Sequence, residues 1–541
     1  MNTKTLKLMT AGLFIAAAIP VGAQEFKVNV NTDREPIAAG PFVPTWESLE
    51  KYDCPEWFRD AKFGIWAHWG PQCQPEFGDW FARNMYIQGN GQHTYSKISR
   101  GPQSVFGFKD WIREWKAENW DPEQLIELYV ECGAKYFFAL ANHHDNFDLF
   151  DSQYQEWNSV DLGPKKDIVG GWATACRKFE LPLGVSVHAS HAWTWYETSR
   201  GADTNGVFKN VPYDGWLTRE QGAGTWWEGL DPQELYAQNH PLSKNNRSWD
   251  WNEDEVVLPD QAYCDKFYNR TIDLINRYDP ALIYFDDTVL PLYPFCDAGL
   301  NITAHIYNKS LREHNGVNQA VVTGKVLPES HRGSITWDVE RGAPDQIIPE
   351  PWQTCTCIGD WHYNKNVYFD DRYKSADRVI KMLVDVVSKN GNLLLSVPLK
   401  GDGTLDPTEV RIVKEIGAWM QVNGESIYGT RPWIRFGEGP SSENKNPIRA
   451  QGFNEGRLRY SPEDIRFATK GELLYATLMG IPETGKTIVI KSLSNASSVE
   501  LLGSGKVSFK KSPEGLAVRL PDSYPNSIAL VLKIVRPAAS K

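Results

Sequence analysis

Beyond one apolar run near its start, Leu8 to Val21, the sequence has no stretch that approaches the length of a membrane-spanning helix. It is also short of positive charge. Its 57 Lys and Arg against 68 Asp and Glu give a formal net charge of -11, which argues against a nucleic-acid partner, since phosphate binding needs concentrated cations. The 8 Cys in 541 residues follow no small-domain spacing, which excludes a disulfide-stapled scaffold. Cys355 and Cys357 are two apart, share one face of any strand, and read as buried free thiols. Low-complexity tracts and internal repeats are absent. Histidines spaced as His-x-His, which would aim two metal ligands to one side of a strand, are missing as well.

What the chain has in quantity is aromatic surface: 22 Trp, 22 Tyr and 23 Phe. Most tryptophans fill cores, but flat rings also suit the C–H faces of sugars, so the composition leans mildly toward a carbohydrate ligand. The early apolar run follows Lys4 and Lys7 and ends in Val21-Gly22-Ala23. That is the pattern of a signal peptide over residues 1–23, cut before Gln24, and it predicts a periplasmic or secreted protein. No Cys follows the run, so a lipid anchor is not indicated.

Residues 24–45 read as an extended lead-in, after which short apolar runs alternate with helical patterns. Phe63 to Ala67, Ala134 to Ala141, Leu183 to Val187, Ala281 to Phe285, Ala320 to Thr323, Ile335 to Val339 and Asn392 to Val397 read as buried strands. Helices are predicted from Asp121-Pro122, over Ile168 to Phe179, Tyr263 to Tyr278 and Ser375 to Ser388, and from Asp406-Pro407 to Met420. Alternation on this scale implies a parallel sheet closed as a (β/α)8-like barrel over residues 24–435. Beyond Pro432-Trp433 the pattern changes to short alternating runs without helices, which predicts an antiparallel β-sandwich over 436–541. An insertion between Trp193 and Asp254, rich in Gly, Asn, Asp and Trp, reads as a lid or a structural flap.

The strands end in chemistry. His68 follows the first, Asn142-His143-His144-Asp145 the second, and His188 with His191 the third; Asp286-Asp287 close the Ala281 strand and Glu340 the Ile335 strand. In β/α barrels the C-terminal strand ends carry the reacting groups. Two chemistries fit: glycoside hydrolysis by two carboxylates, or a metal-dependent hydrolase with His143, His144, His188 and Asp286 as ligands. The histidine spacing weakens the second without excluding it. A non-catalytic glycan-binding protein on the same barrel is a third reading, against which an intact Asp286 argues.

The text from Ala61 to Gly70 (AKFGIWAHWG) resembles the first-strand motif of the glycoside hydrolase family 29 α-L-fucosidases. Further stretches match in order: Asn142 to Phe147, Trp157-Asn158 with Gly163 to Asp167, Tyr284-Phe285-Asp286, Trp352 to Cys355, Lys389 to Leu395, and Asn423 to Thr430. The resemblance implies an exo-acting, retaining enzyme for terminal fucose on oligosaccharides or glycoconjugates, with no metal or other cofactor. It places the nucleophile on Asp286, with Asp287 facing away, and fucose-hydroxyl contacts on His68, His143 and His144. Trp80 and Tyr284 are implied in substrate binding. The family's Glu-Trp-Tyr reads Asp79-Trp80-Phe81 here, a shortened acid, and its Tyr-Tyr-Ser becomes Ser186-Val187-His188, so His188 is expected to take over a contact. Among Glu329, Glu340 and Glu350, the acid/base is expected at Glu340, which directly follows an apolar strand. A charged Arg341 aimed at it would favour the carboxylate and spoil it as an acid, so Arg341 is expected to point elsewhere.

Overall fold

The computed structural model describes residues 25–251, 254–448, 451–456 and 459–537. The expected signal peptide lies outside them. Eight parallel strands close into a barrel in sequence order: β1 (Phe63–Ala67), β2 (Phe137–Asn142), β3 (Leu183–Val187), β4 (Leu282–Thr288), β5 (Val321–Lys325), β6 (Thr336–Glu340), β7 (Trp352–Cys357) and β8 (Gly391–Ser396). The β1–β8 pairing, Phe63 against Leu393 to Trp66 against Ser396, completes the circle. Seven of these strands are legible in the sequence. The eighth, β7, is an unbroken buried run of mixed polarity, Trp-Gln-Thr-Cys-Thr-Cys, with no apolar block to announce it.

Side chains alternate between the barrel axis and the surrounding helices, and that parity governs the site. On β1, Trp66 belongs to the inner core while Phe63, Ile65 and Ala67 face the outer layer. Gly64 shares the inner face, where an added Cβ would stand 2.3 Å from the Tyr136 ring. On β4, Leu282 and Tyr284 point inward and Ile283 and Phe285 outward. Continuing the count turns His68 and Asp286 toward the axis and Asp287 away from it.

The helices start where the sequence signals them. Asp121 caps Pro122–Cys132 by accepting from the Gln124 N–H, and Asp406 caps Pro407–Asn423 through Thr408 and Glu409. Each satisfies amide groups that the first helical turn leaves open. Among the described residues, no helix is long and apolar enough to cross a membrane. All eight cysteines are unpaired, and Cys355 and Cys357 are buried.

The C-terminal part is antiparallel. β9 (Arg431–Glu438), β10 (Ile465–Lys470), β11 (Leu473–Leu478), β13 (Ser498–Leu501), β14 (Gly505–Lys506) and β17 (Leu530–Val535) form one sheet, ordered β14-β13-β17-β11-β10-β9. A second sheet, β12-β16-β15, comprises Thr487–Ile490, Gly515–Arg519 and Phe509–Ser512. Phe467, Leu474, Leu532, Leu516 and Val518 share the apolar core between them. The expected change of pattern near residue 435 falls within β9.

Two buried contacts join this sandwich to the barrel. Arg466 on β10 and Lys389 both meet Asp385 of the helix Ala376–Ser388, each at 2.6 Å. The loop between β9 and β10 also reaches the end of β6. There the Glu340 N–H donates to the Gln451 carbonyl, and Phe453 N–H donates to the Glu340 carbonyl, both at 2.8 Å. Gly452, at φ +137°, sits so close that a Cβ would lie 2.1 Å from the Glu340 carbonyl oxygen.

Candidate active site

Asp286 stands at the centre of the C-terminal mouth, on the irregular end of β4 where the register with β5 shifts between Tyr284 and Thr288. Such bulges re-aim side chains. Its Oδ2 lies 3.0 Å from His188 Nδ1 and 3.3 Å from His144 Nε2, and its Oδ1 meets the Lys325 ammonium. Burial pushes the Asp286 carboxyl up, but Lys325 and the two histidines outweigh it and hold the group well below the ordinary aspartate range. It is a carboxylate at any working pH. Asp287 faces the other way, with Oδ1 2.9 Å from His191 Nε2 and Oδ2 accepting from Ser190 Oγ at 2.5 Å.

Glu340 ends β6 on the same inner face, and its Oε2 lies 2.6 Å from Lys325 Nζ. One buried ammonium thus bridges Asp286 and Glu340. Burial alone would lower the Lys325 ammonium's affinity for its proton, but these two carboxylates raise it well above the ordinary lysine value. Glu329 is exposed on a short 3-10 turn, so of the three glutamates Glu340 is the one that meets the Asp286 cluster. Arg341 turns away, pairing with Glu455 at 3.0 Å.

The histidines line one wall. His143 Nδ1 receives an N–H from Gln72 at 2.9 Å, which makes its Nε2 the proton-bearing nitrogen when the ring is neutral. His144 Nδ1 donates to the His188 carbonyl at 2.8 Å. Asn142 Oδ1 in turn accepts the backbone N–H groups of His188 and Ala189, both at 3.1 Å, and so fixes the end of β3. His68 is buried, and neither ring nitrogen has a protein partner. Its ring lies 5.1 Å from His143 and 5.3 Å from His188, centroid to centroid. Burial pushes His68 and His143 well below the ordinary histidine value and His188 down to about 4, so these three rings are neutral near pH 7.

Trp80 takes a left-handed backbone, φ 58°, which is rare for so bulky a side chain and concentrates at functional positions. Its half-buried ring lies 6.2 Å from His144 and 5.9 Å from both Trp195 and Trp249. The last two come from the Trp193–Asp254 insertion, which therefore walls this side of the mouth. Trp251 from the same segment stacks on His191 at 3.9 Å. Tyr284 is placed lower. Its hydroxyl donates to Asp338 Oδ1 at 3.3 Å and lies 3.4 Å from Cys355 Sγ, and its ring is a floor beneath Trp66 and Lys325.

Lys325 and Asp338 escape a reading of the sequence for strand ends. Ending β5 at Thr323 stops one inward position short of Lys325, and Val321, Thr323 and Lys325 share a parity that would have found it. Asp338, two before Glu340, is pushed up to about 6 by burial. Two groups of donor atoms converge within 4.8 Å, closely enough to hold a cation: His68, Asp79, His143 and His362, and His143, His144 and His188.

Keeping His188 neutral carries a testable cost. His188 binds its proton near the ordinary histidine value when unfolded but only near pH 4 when folded, so between these values the unfolded chain holds more protons. Its contribution therefore turns against the fold as pH drops from about 6.5 toward 4. Asp145 and Asp338, both pushed up to about 6, act in the opposite sense, so the effect has to be isolated. The melting temperature of wild type minus that of His188→Gln should drop by several degrees across this window. A difference that stays flat or rises would contradict the assignment.

The profile of the family described as Alpha-L-fucosidase matches residues 30–425. The alpha-L-fucosidase of Branchiostoma floridae is 26% identical over 502 residues, covering 90% of this chain and 93% of its own. The human plasma alpha-L-fucosidase is 27% identical over 501 residues, covering 90% and 89%. A crystal structure of Thermotoga maritima alpha-fucosidase in complex with a mechanism-based inhibitor superposes with a TM-score of 0.67 at 25% identity, over 92% of this chain and 100% of that one. The same enzyme in complex with fucose gives 0.65 at 26% identity.

Proposed function

The chain belongs to the alpha-L-fucosidase family and is a glycoside hydrolase, and from that premise we propose that it is an exported, exo-acting enzyme that releases terminal α-L-fucose with retention of configuration. The single observation that supports retention is the shared ammonium. Asp286 and Glu340 both bond Lys325, so their nearest oxygens are separated by no more than two hydrogen bonds end to end, at most about 6 Å. Retaining carboxyl pairs stand about 5–5.5 Å apart, whereas inverting pairs leave about 6.5–9.5 Å for a water.

In this reading Asp286 attacks the anomeric carbon and Glu340 protonates the departing glycosidic oxygen. Water, deprotonated by Glu340, then opens the fucosyl ester and regenerates Asp286. His188 and His144 hold the nucleophile's Oδ2, leaving the carboxylate aimed rather than free to turn. For Glu340 to reach the glycosidic oxygen it has to exchange its bond to Lys325 for one to the sugar that enters between the two carboxylates. His68, His143 and Trp80 supply hydroxyl and ring-face contacts. Fucosylated oligosaccharides or glycoconjugates are the substrates. NMR at early turnover should show α-fucose released first; β-fucose as the first product would mean inversion and overturn the double displacement.

Export rests on the charged, apolar and small-residue segments of residues 1–23. The mature chain should begin at Gln24, which N-terminal sequencing of protein from the periplasm or medium reads directly; an intact Met1 in that fraction would refute cleavage.

A further inference from the structure

A second carboxylate–histidine pair closes the end of the site away from Asp286. His362 lies in the loop after β7 and Asp79 in the loop after β1, and His362 Nδ1 donates to Asp79 Oδ1 at 2.6 Å. The His362 side chain is fully buried, and its Nε2 has no protein partner. Its ring lies 4.6 Å from His68 and 4.8 Å from His143. A buried ring nitrogen without a partner is costly, and a fold with no use for it would cover it or replace it. Here the cost is incurred beside His68, both of whose nitrogens are also unmet. The His68 and His362 rings, 4.6 Å apart, put these open nitrogens in one part of the site, where one donor atom from each of His68, Asp79, His143 and His362 converges within 4.8 Å.

The order of the rings says which part of a sugar that space receives. His188 and His144 touch Asp286, where the anomeric carbon must sit. His68 and His143 come next, and His362 lies beyond them on their far side. A pyranose with its anomeric carbon at Asp286 therefore presents the opposite side of its ring, carbons 3 and 4, to His362. The Asp79 carboxylate makes Nδ1 the donor and so leaves Nε2 of the neutral ring as an acceptor for a hydroxyl hydrogen.

We propose that His362, held by Asp79, is a specificity-determining residue that accepts a hydrogen bond from the fucosyl hydroxyl on C-3 or C-4. The proposal rests on the fucosidase reading above. His362 would touch substrate, and Asp79 would position it.

The test uses the full chain with an aryl α-L-fucoside and its 3-deoxy and 4-deoxy analogues. Wild type should process one analogue roughly 10–100-fold less well in kcat/KM than the parent. In His362→Ala the parent should fall by a similar factor, mainly through KM, and that same analogue should lose nothing more. His362→Gln, which keeps a polar group of similar reach, should recover part of the discrimination and guards against a misfolded alanine variant. Asp79→Ala should reproduce the His362→Ala loss, and the double variant should be no worse than either. Full discrimination between parent and analogues in a folded His362→Ala protein would overturn the contact while leaving the fucosidase reading intact. A wild type inactive on the parent fucoside would instead remove the premise. Loss of wild-type activity on chelation, restored by a divalent ion, would assign Asp79, His362, His68 and His143 to a cation and overturn the proposal as well.

Discussion

Asp286→Gly should lower kcat/KM on an aryl fucoside by about 10⁴-fold or more, the scale on which loss of a covalent nucleophile acts. The fold should survive. Lys325 keeps Glu340 as its partner at 2.6 Å, so the change strands no buried cation, and the melting temperature should move little. The variant should also reveal which face has been vacated. Azide supplied to Asp286→Gly can attack where the carboxylate stood, and should yield a fucosyl azide of inverted, β configuration. Asp287 offers a control one residue away: it is tied to His191 and Ser190 on the outer side of the strand. A mechanism-based label trapped on Asp287, or near-normal turnover by Asp286→Gly, would refute the assignment.

Glu340→Ala should divide substrates by leaving group. Natural fucosides depart as poor alkoxides and need the proton, so their turnover should drop by about 10²–10⁴-fold, the usual worth of a positioned acid. An activated aryl fucoside needs little protonation and should lose far less in its first step. The fucosyl ester then accumulates, because no base activates water. Azide, which needs no base, should relieve it and give an azide of retained, α configuration. The opposite configurations expected from the two variants make the pair hard to satisfy by accident. Wild-type behaviour in Glu340→Ala, with the leaving-group split in Glu329→Ala or Glu350→Ala, would reassign the acid.

The barrel was legible because its strands are short, apolar and bounded by turn residues, and because Asp-Pro steps announce two of its helices. β7 was not, since Gln353, Thr354 and Thr356 break any apolar run; the barrel tolerates them because inward Gln353 bonds Asp338 at 2.9 Å and Thr354 bonds the Val339 carbonyl at 2.8 Å. In the site, Asp286 and the histidines stood out because they directly follow apolar blocks. Lys325 did not, since a lysine two residues past a predicted strand end looks like any solvated loop cation. What distinguishes it is a burial no linear pattern encodes. His362 was hidden for another reason: its partner Asp79 is 283 positions away in the chain, joined only by barrel closure.

The hydrogen bonds between Glu340 and the loop through Gln451 and Phe453 bear on modularity. A chain cut before β9 would keep every barrel strand and every group that touches Asp286, yet leave the peptide carrying the proposed acid with a donor and an acceptor unmet. Barrel and appendage are thus poor candidates for independent exchange between proteins. A lineage that shed the sandwich would first have to invent another anchor for the end of β6, and a grafted replacement domain would have to supply a residue as small as Gly452 against the Glu340 carbonyl.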